Sequence, residues 1–141
     1  MDLSKINEIF EQALAFIDGL KELQDNYLKS INKSIKDLQK LIDSNVNSDH
    51  YINSEKERIS KKIDKDIENF KINVDKKLEG IQKWYDSEIN SVKKDIVINS
   101  QAALGIKLPD SAAEKMAESI PHPKLSIPEF KIEIPELPSI K

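Results

Sequence analysis

The stretch ISKKIDKDIENFKINVDKKLEGIQKWYDSEINSVKKDI, residues 59–96, decides the fold. Its large apolar residues recur at steps of four, four and three, and this eleven-residue (hendecad) cycle occurs three times before a last step of four. A period of about 3.67 residues per turn keeps such side chains on one narrow, nearly straight face of an α-helix. The stripe consists of Ile59, Ile63, Ile67, Phe70, Val74, Leu78, Ile81, Tyr85, Ile89, Val92 and Ile96.

The ends of this long helix are marked by capping residues. Ser54 and Glu57 have the spacing of a capping box, which satisfies free backbone N–H groups at a helix N-terminus. Gly105 is suited to a left-handed C-cap, and Pro109 prevents the helix from continuing. We therefore predict a second helix over about residues 54–104.

A first helix is predicted over about residues 2–44, with Asp2 as its N-cap. Its stripe alternates steps of three and four, the pattern of a heptad repeat, with one stutter at Gln24. The stripe consists of Leu3, Ile6, Phe10, Ala13, Ile17, Leu20, Gln24, Leu28, Ile31, Ile35, Leu38 and Ile42.

The two helices are predicted to pair with each other. Residues 45–53 between them are rich in Asn, Asp and Ser, which favour turns over helix. About this turn, the apolar positions of the two stripes lie opposite one another if the helices are antiparallel. The opposing pairs are Ile42 with Ile59, Leu38 with Ile63, Ile31 with Phe70, Tyr27 with Val74, Leu20 with Ile81, and Phe10 with Val92. Residues 1–105 are thus predicted to form a long antiparallel two-helix coiled-coil hairpin in an all-α protein.

Residues 106–120 are predicted to be a linker with a short third helix at 110–119. Either Asp110 or the capping box of Ser111 and Glu114 can open this helix.

The last 21 residues, 121–141, hold five of the six prolines and are predicted to form an extended tail. A flexible solvated tail does not need seven large apolar residues, so we predict that this one docks on another protein chain, in the manner of a strand added to a sheet edge. The alternative is that it folds back on its own hairpin. The predicted docking residues are Leu125, Ile127, Phe130, Ile132, Ile134, Leu137 and Ile140.

Composition and spacing argue against catalysis and against cofactor binding. Cysteine is absent, and neither His50 nor His122 has neighbours arranged as a triad or a metal-binding set. The turn resembles a calcium loop in its Asp and Asn spacing, but Ser48 stands where Gly is required and Ser54 where a bidentate Glu is required. We predict no enzyme activity, no metal and no cofactor.

The charge and hydropathy patterns narrow the classes of molecule that this chain is expected to bind. The chain has 22 basic and 25 acidic residues and a net charge of -3, so nucleic-acid binding is not expected. The N-terminus lacks the features of a signal peptide, and no apolar run is long enough to cross a membrane. The stripes are also narrower than those of helices that lie on lipid. We expect a location in the cytoplasm or within a particle, and no membrane binding.

Two functions fit this architecture. The first is a structural rod or spacer of a larger particle (a virion, tail or secretion-type assembly), fastened by the tail. The alternative is a free adaptor or chaperone-like module that binds proteins through its helices. A homo-oligomer is expected in either case, because a two-helix hairpin leaves apolar residues beside the stripes partly exposed to solvent. These residues are Leu14, Ile72, Trp84 and Val97.

Overall fold

The computed structural model describes residues 3–44 and 46–140, so the predicted cap Asp2 lies outside the described residues. The chain is all-α, with two long helices that pack together and a short third one, and none of the described residues forms a β-strand. The helices are α1 (Ser4–Asp43), α2 (Asp49–Leu104) and α3 (Asp110–Ser119). The predicted fold class is therefore confirmed.

The turn between α1 and α2 is shorter than predicted. The Oγ of Ser44 and the side-chain amide of Asn47 both donate to the carbonyl oxygen of Leu41 in the last turn of α1. At the other side of the turn, the Oγ of Ser48 accepts a hydrogen bond of 3.2 Å from the backbone N–H of Tyr51. Ser48 thus acts as the N-terminal cap, and α2 begins at Asp49 rather than at residue 54.

Burial of Ile52 explains this early start. Ile52 lies seven residues before Ile59, two turns along the helix, and both side chains are buried. The apolar stripe of α2 therefore extends toward the N-terminus into the polar segment. The stabilisation from burying Ile52 exceeds the preference of the neighbouring Asn, Asp and Ser residues for a turn. The prediction of a turn over 45–53 and of a cap at Ser54 is wrong for this reason.

The C-terminus of α2 has the predicted glycine cap. Gly105 adopts a φ of 66°, in the left-handed region. Its N–H donates to the carbonyl of Ala102, and the N–H of Ile106 donates to that of Gln101, the two bonds of a Schellman motif. The chain then turns, and α3 follows directly after Pro109 without a side-chain cap, so the alternative capping box of Ser111 and Glu114 does not form.

The chain divides into two compact units. Unit 1 comprises Met1–Asp18 and Lys77–Pro128, and unit 2 comprises Gly19–Lys76 and Glu129–Lys141. Each unit thus contains part of α1, part of α2 and part of the tail. Within each unit the segments of α1 and α2 are antiparallel, as the contacts below show.

Unit 1 has a core in which all three helices take part. Phe16 of α1 and Trp84 of α2 pack edge to face with ring centroids 5.1 Å apart. Phe10 and Tyr85 lie 6.3 Å apart, and Lys5, nearer the start of α1, lines a cleft with Ile96 and Asn99 of α2, so the two helices are antiparallel here. The buried core residues are Ile6, Ile9, Ala13, Tyr85, Ile89, Val97, Ala117 and Ile120.

Unit 2 has a smaller core between α1 and α2. The rings of Tyr27 and Phe70 lie 5.4 Å apart, and the Tyr27 hydroxyl accepts a hydrogen bond of 2.8 Å from the amide of Asn73. The Nζ of Lys62 donates to the buried Oγ of Ser34. The buried residues of the cluster are Ile31, Leu38, Ile59 and Ile63, all members of the predicted stripes.

The buried face of α2 changes near its C-terminal end. The predicted stripe passes through Val92 and Ile96, which are only half buried, whereas Lys93 and Val97 are 5% and 3% exposed. Val97 was predicted to be partly wet, and that prediction is wrong because Val97 joins the core that also holds Ala117 of α3.

Candidate functional site

The first part of the tail packs on unit 1. Leu125 lies against the core of that unit, and the Tyr85 hydroxyl donates a hydrogen bond to the backbone carbonyl of Pro123. Burial, with a smaller effect of the Asp86 carboxylate, raises the pKa of Tyr85. The Tyr85 hydroxyl therefore stays protonated and remains a donor to the tail.

A buried lysine adds a second polar contact to this part of the tail. Lys93 follows Ile89 by one turn on the inner face of α2, and its Nζ lies 2.7 Å from Nδ1 of His122. An ammonium group has no lone pair, so Lys93 donates and Nδ1 of a neutral His122 accepts. Partial burial and the neighbouring Lys93 charge lower the pKa of His122, which favours this neutral form.

The second part of the tail packs on unit 2. Ile132 and Leu137 lie against the cluster formed by Ile31, Leu38, Ile59 and Ile63. The side-chain amide of Gln24 donates to the backbone carbonyl of Lys131. Near the end of the chain, the Nζ of Lys56 donates a hydrogen bond of 3.0 Å to the Oγ of Ser139. Gln24, the polar stutter of the first stripe, thus binds the tail backbone.

The seven predicted docking residues fall into three groups. Leu125, Ile132 and Leu137 pack on the chain's own helices, which is the fold-back alternative. Phe130 and Ile140 are half buried.

Ile127 and Ile134 remain 46% and 44% exposed. Ile132 packs against the core cluster of unit 2, whereas Ile134, two residues further on, does not. Residues 121–140 form neither helix nor strand, so the strict alternation of a strand does not hold there.

An apolar groove of about 590 Å³ lies in unit 1 between the end of α2 and α3. Ile98 and Ile106 line it and are 60% and 50% exposed. Val97, Ala102, Leu108 and Ala113 complete its apolar surface. The backbone N–H of Leu108 donates to Oε1 of Gln101, which holds the connecting loop against α2.

Charged residues line the rim of this groove. Lys94 and Lys107 lie on α2 and on the connecting loop, whereas Asp110 and Glu114 lie on α3. None of the four forms an ion pair with another described residue. Cations and carboxylates therefore both border the apolar surface.

The remaining candidate sites have structural roles or carry no ligand set. The side-chain amide of Asn47 donates hydrogen bonds to the Leu41 carbonyl and to the Ser44 hydroxyl in the turn. Asn45 lies outside the described residues. Within 3–44 and 46–140, no group of three or more His, Asp or Glu residues is arranged to hold a metal ion. No helix in these ranges is both long and apolar enough to cross a membrane.

Sequence reasoning missed Lys93 and the groove. Lys93 continues the spacing of four from Tyr85 and Ile89 to Val97. A charged residue is not expected within an apolar stripe, so the sequence did not indicate that Lys93 is buried. The groove was missed because it depends on how α3 lies against α2. The sequence did carry one signal for it, the consecutive apolar residues Ile96, Val97 and Ile98, since a single helical stripe cannot bury all three. Comparisons with protein families, with curated proteins and with solved structures found no match for this chain.

Proposed function

We propose that this chain is a non-enzymatic protein-binding module that contacts its partners through its helices. The placement of the tail carries the proposal. Leu125 packs on unit 1, and Ile132 and Leu137 pack on unit 2, so these side chains are covered by the chain itself. The exposed apolar residues of the helical part then offer the larger surface to a partner.

The charged residues of the helices support a binding role rather than a catalytic one. Lys61 pairs with Glu57 at 3.4 Å and Lys83 with Glu79 at 3.0 Å, one turn apart, and all four side chains are exposed. Such pairs are typical of solvated helix faces and contribute only a few tenths of a kcal/mol, about 0.3–0.5, to stability. The surfaces of this chain therefore differ from one another mainly in their partly exposed apolar side chains.

A second candidate is a structural subunit of a larger particle that is fastened by its tail. The exposure of Ile127 and Ile134 favours it, because two large apolar side chains on the outer side of a docked tail can still contact another subunit. The two candidates differ in which surface a partner covers, and substitutions can therefore separate them.

The test is the size of the complex that contains the full chain in an extract of its native source. We expect the chain to elute well above its own mass of 16.1 kDa. Replacing Ile98 and Ile106 together by Glu should move it toward the monomer position. Replacing Ile127 and Ile134 together by Asp, at similarly exposed positions, should leave the complex intact.

Two outcomes contradict the proposal. Elution of the unmodified chain as a monomer would show that it has no stable protein partner. Release by the tail substitutions alone would establish the second candidate. Circular dichroism of each purified variant keeps a folding defect apart from a binding defect.

A further inference from the structure

We infer that the face of unit 2 beneath the second part of the tail binds an extended apolar segment of a partner protein, and that the tail covers this face until such a segment displaces it. The inference rests on the proposed function and states the chemistry of one partner segment. We call this face the tail seat. It consists of Gln24, Lys56 and the core cluster of Ile31, Leu38, Ile59 and Ile63.

The tail lies on the seat in an extended form. The Gln24 amide donates to the carbonyl of Lys131, and Lys56, near the start of α2, donates to the Oγ of Ser139 at 3.0 Å. The part of α1 from Gln24 to its end at Asp43 is about 29 Å long. The tail from Lys131 to Ser139 spans at most about 29 Å. The seat thus accepts a chain that is almost fully extended.

The contacts of the seat depend on few features of the tail sequence. Gln24 binds a backbone carbonyl, which every residue offers. Ile132 and Leu137 pack on the core cluster, whereas Ile134 between them stays 44% exposed. Many proteins recognise extended segments in this way, through main-chain hydrogen bonds and a few side chains in apolar pockets. A partner segment therefore needs a large aliphatic residue directly after the bound carbonyl and a second one five positions later.

The way the tail is attached allows another segment to displace it. Residues 121–140 form neither helix nor strand, and no backbone-to-backbone hydrogen bond joins them to another residue in the described ranges. Ordering such a segment costs conformational entropy at every residue, and Ile132 and Leu137 are the side chains that offset this cost at the core cluster. Covalent attachment raises the local concentration of the tail, so the tail occupies the seat when no partner segment is present.

The first experiment measures the binding of a fluorescent peptide of residues 129–141 to the full chain by anisotropy. Ile132→Asp with Leu137→Asp in the chain should raise its affinity for the peptide by about tenfold or more, because the weakened tail competes less for the seat. Ile127→Asp with Ile134→Asp is the matched control. These side chains are 46% and 44% exposed, so the control should leave the affinity unchanged.

The second experiment changes the peptide, which cannot affect the folding of the chain. We call the chain with Ile132→Asp and Leu137→Asp the loosened chain. A peptide with Asp in place of Ile132 and Leu137 should not bind it, whereas a peptide with Asp in place of Ile134 should bind like the original. A peptide that keeps Ile132, Leu137 and the prolines but has alanine elsewhere should lose no more than about tenfold in affinity, because the main chain and two aliphatic side chains carry the recognition.

The third experiment locates the binding site. Adding Gln24→Ala to the loosened chain should lower the affinity for the peptide by about fivefold, because the bound carbonyl loses its donor. If the loosened chain loses its helical circular dichroism spectrum, Ile132→Ala with Leu137→Ala takes its place, and the same outcomes apply.

The results that overturn the inference are distinct from those that overturn the proposed function. A folded loosened chain that does not bind the peptide excludes the tail seat as a site for extended segments. Equal affinities for the original peptide and the peptide with two Asp residues exclude the recognition of aliphatic side chains, and an unchanged affinity with Gln24→Ala excludes this location. In each case, a large complex in the native extract that the Ile98 and Ile106 substitutions disrupt would leave the protein-binding function standing.

Discussion

Protonation of His122 is predicted to weaken the attachment of the first tail residues to unit 1. In the neutral state, Nδ1 of His122 accepts a hydrogen bond from the Lys93 ammonium at 2.7 Å. The imidazolium has no acceptor, so protonation removes this bond and places two positive charges side by side. The Tyr85 ring lies next to His122, and the Asp86 carboxylate and the Lys124 ammonium also act on it, the former favouring protonation and the latter opposing it.

The size of the effect follows from the distance and from the exposure of the histidine. Two unit charges 2.7 Å apart repel by about 1.5 kcal/mol at the dielectric constant of water. Although its ring is partly desolvated, His122 remains accessible to solvent, so salt screens the repulsion and the ring can turn away from Lys93. We therefore expect a pH-dependent loss of stability of about 1 kcal/mol or less.

The sign follows from the direction of the pKa shift. Burial and Lys93 lower the pKa of His122 in the folded chain below its ordinary value of 6.5. The unfolded chain then takes up a proton at a higher pH than the folded chain does. This contribution to the free energy of unfolding is present above pH 6.5 and is lost as the pH falls through the folded-state pKa.

The assay is an NMR titration of the imidazole signals in a His50→Gln background, which leaves His122 as the only histidine. Adding Lys93→Met, of similar length but uncharged, should raise the titration midpoint of His122. Denaturant unfolding should show a loss of stability in acid that His122→Gln lacks. Equal midpoints with and without Lys93→Met would show that the ammonium does not act on the ring.

Two further predictions concern the stripes and the helix cap. Phe70→Lys should destabilise the chain by about 3 kcal/mol or more because Phe70 is buried. Lys71→Glu, at an exposed position, should change stability by about 0.5 kcal/mol or less. Similar losses of stability in chemical denaturation would mean that the stripe is misassigned. Gly105→Ala should cost about 1 kcal/mol because φ is 66° there, although nothing within 4 Å obstructs a methyl group. Gly80→Ala, inside α2 and equally free of neighbours, should instead stabilise by about 0.5–1 kcal/mol, and effects of the same sign would contradict the assigned cap.

The helices could be predicted from the sequence because their apolar residues repeat with a helical period. Ile59, Ile63 and Phe70 are buried as the stripe predicts, and Gly105 ends α2 as expected. The start of α2 was misplaced because a local cap signal at Ser54 competed with the burial of Ile52, which depends on tertiary packing.

The candidate surfaces were less predictable than the helices. Whether Ile132 packs on its own chain or on another depends on which surface lies next to it, and periodicity contains no such information. Lys93 was missed because a charged residue is assigned to the solvent face by default, and its buried position depends on a tail residue 29 positions away. The groove of Ile98 and Ile106 arises only where α3 returns beside α2.

A distance between Lys56 and Ser139 within one chain tests directly whether the tail packs on its own helices. The chain has no cysteine, so Lys56→Cys with Ser139→Cys allows two spin labels to be placed without other changes. The side chains of these residues are hydrogen-bonded at 3.0 Å, and pulsed electron resonance should give a single short distance. That distance should persist when the labelled chain is refolded with an excess of unlabelled chain. A short distance that disappears on such dilution would show that the tail binds another copy, and a long or broad distribution would show that it does not pack on these helices.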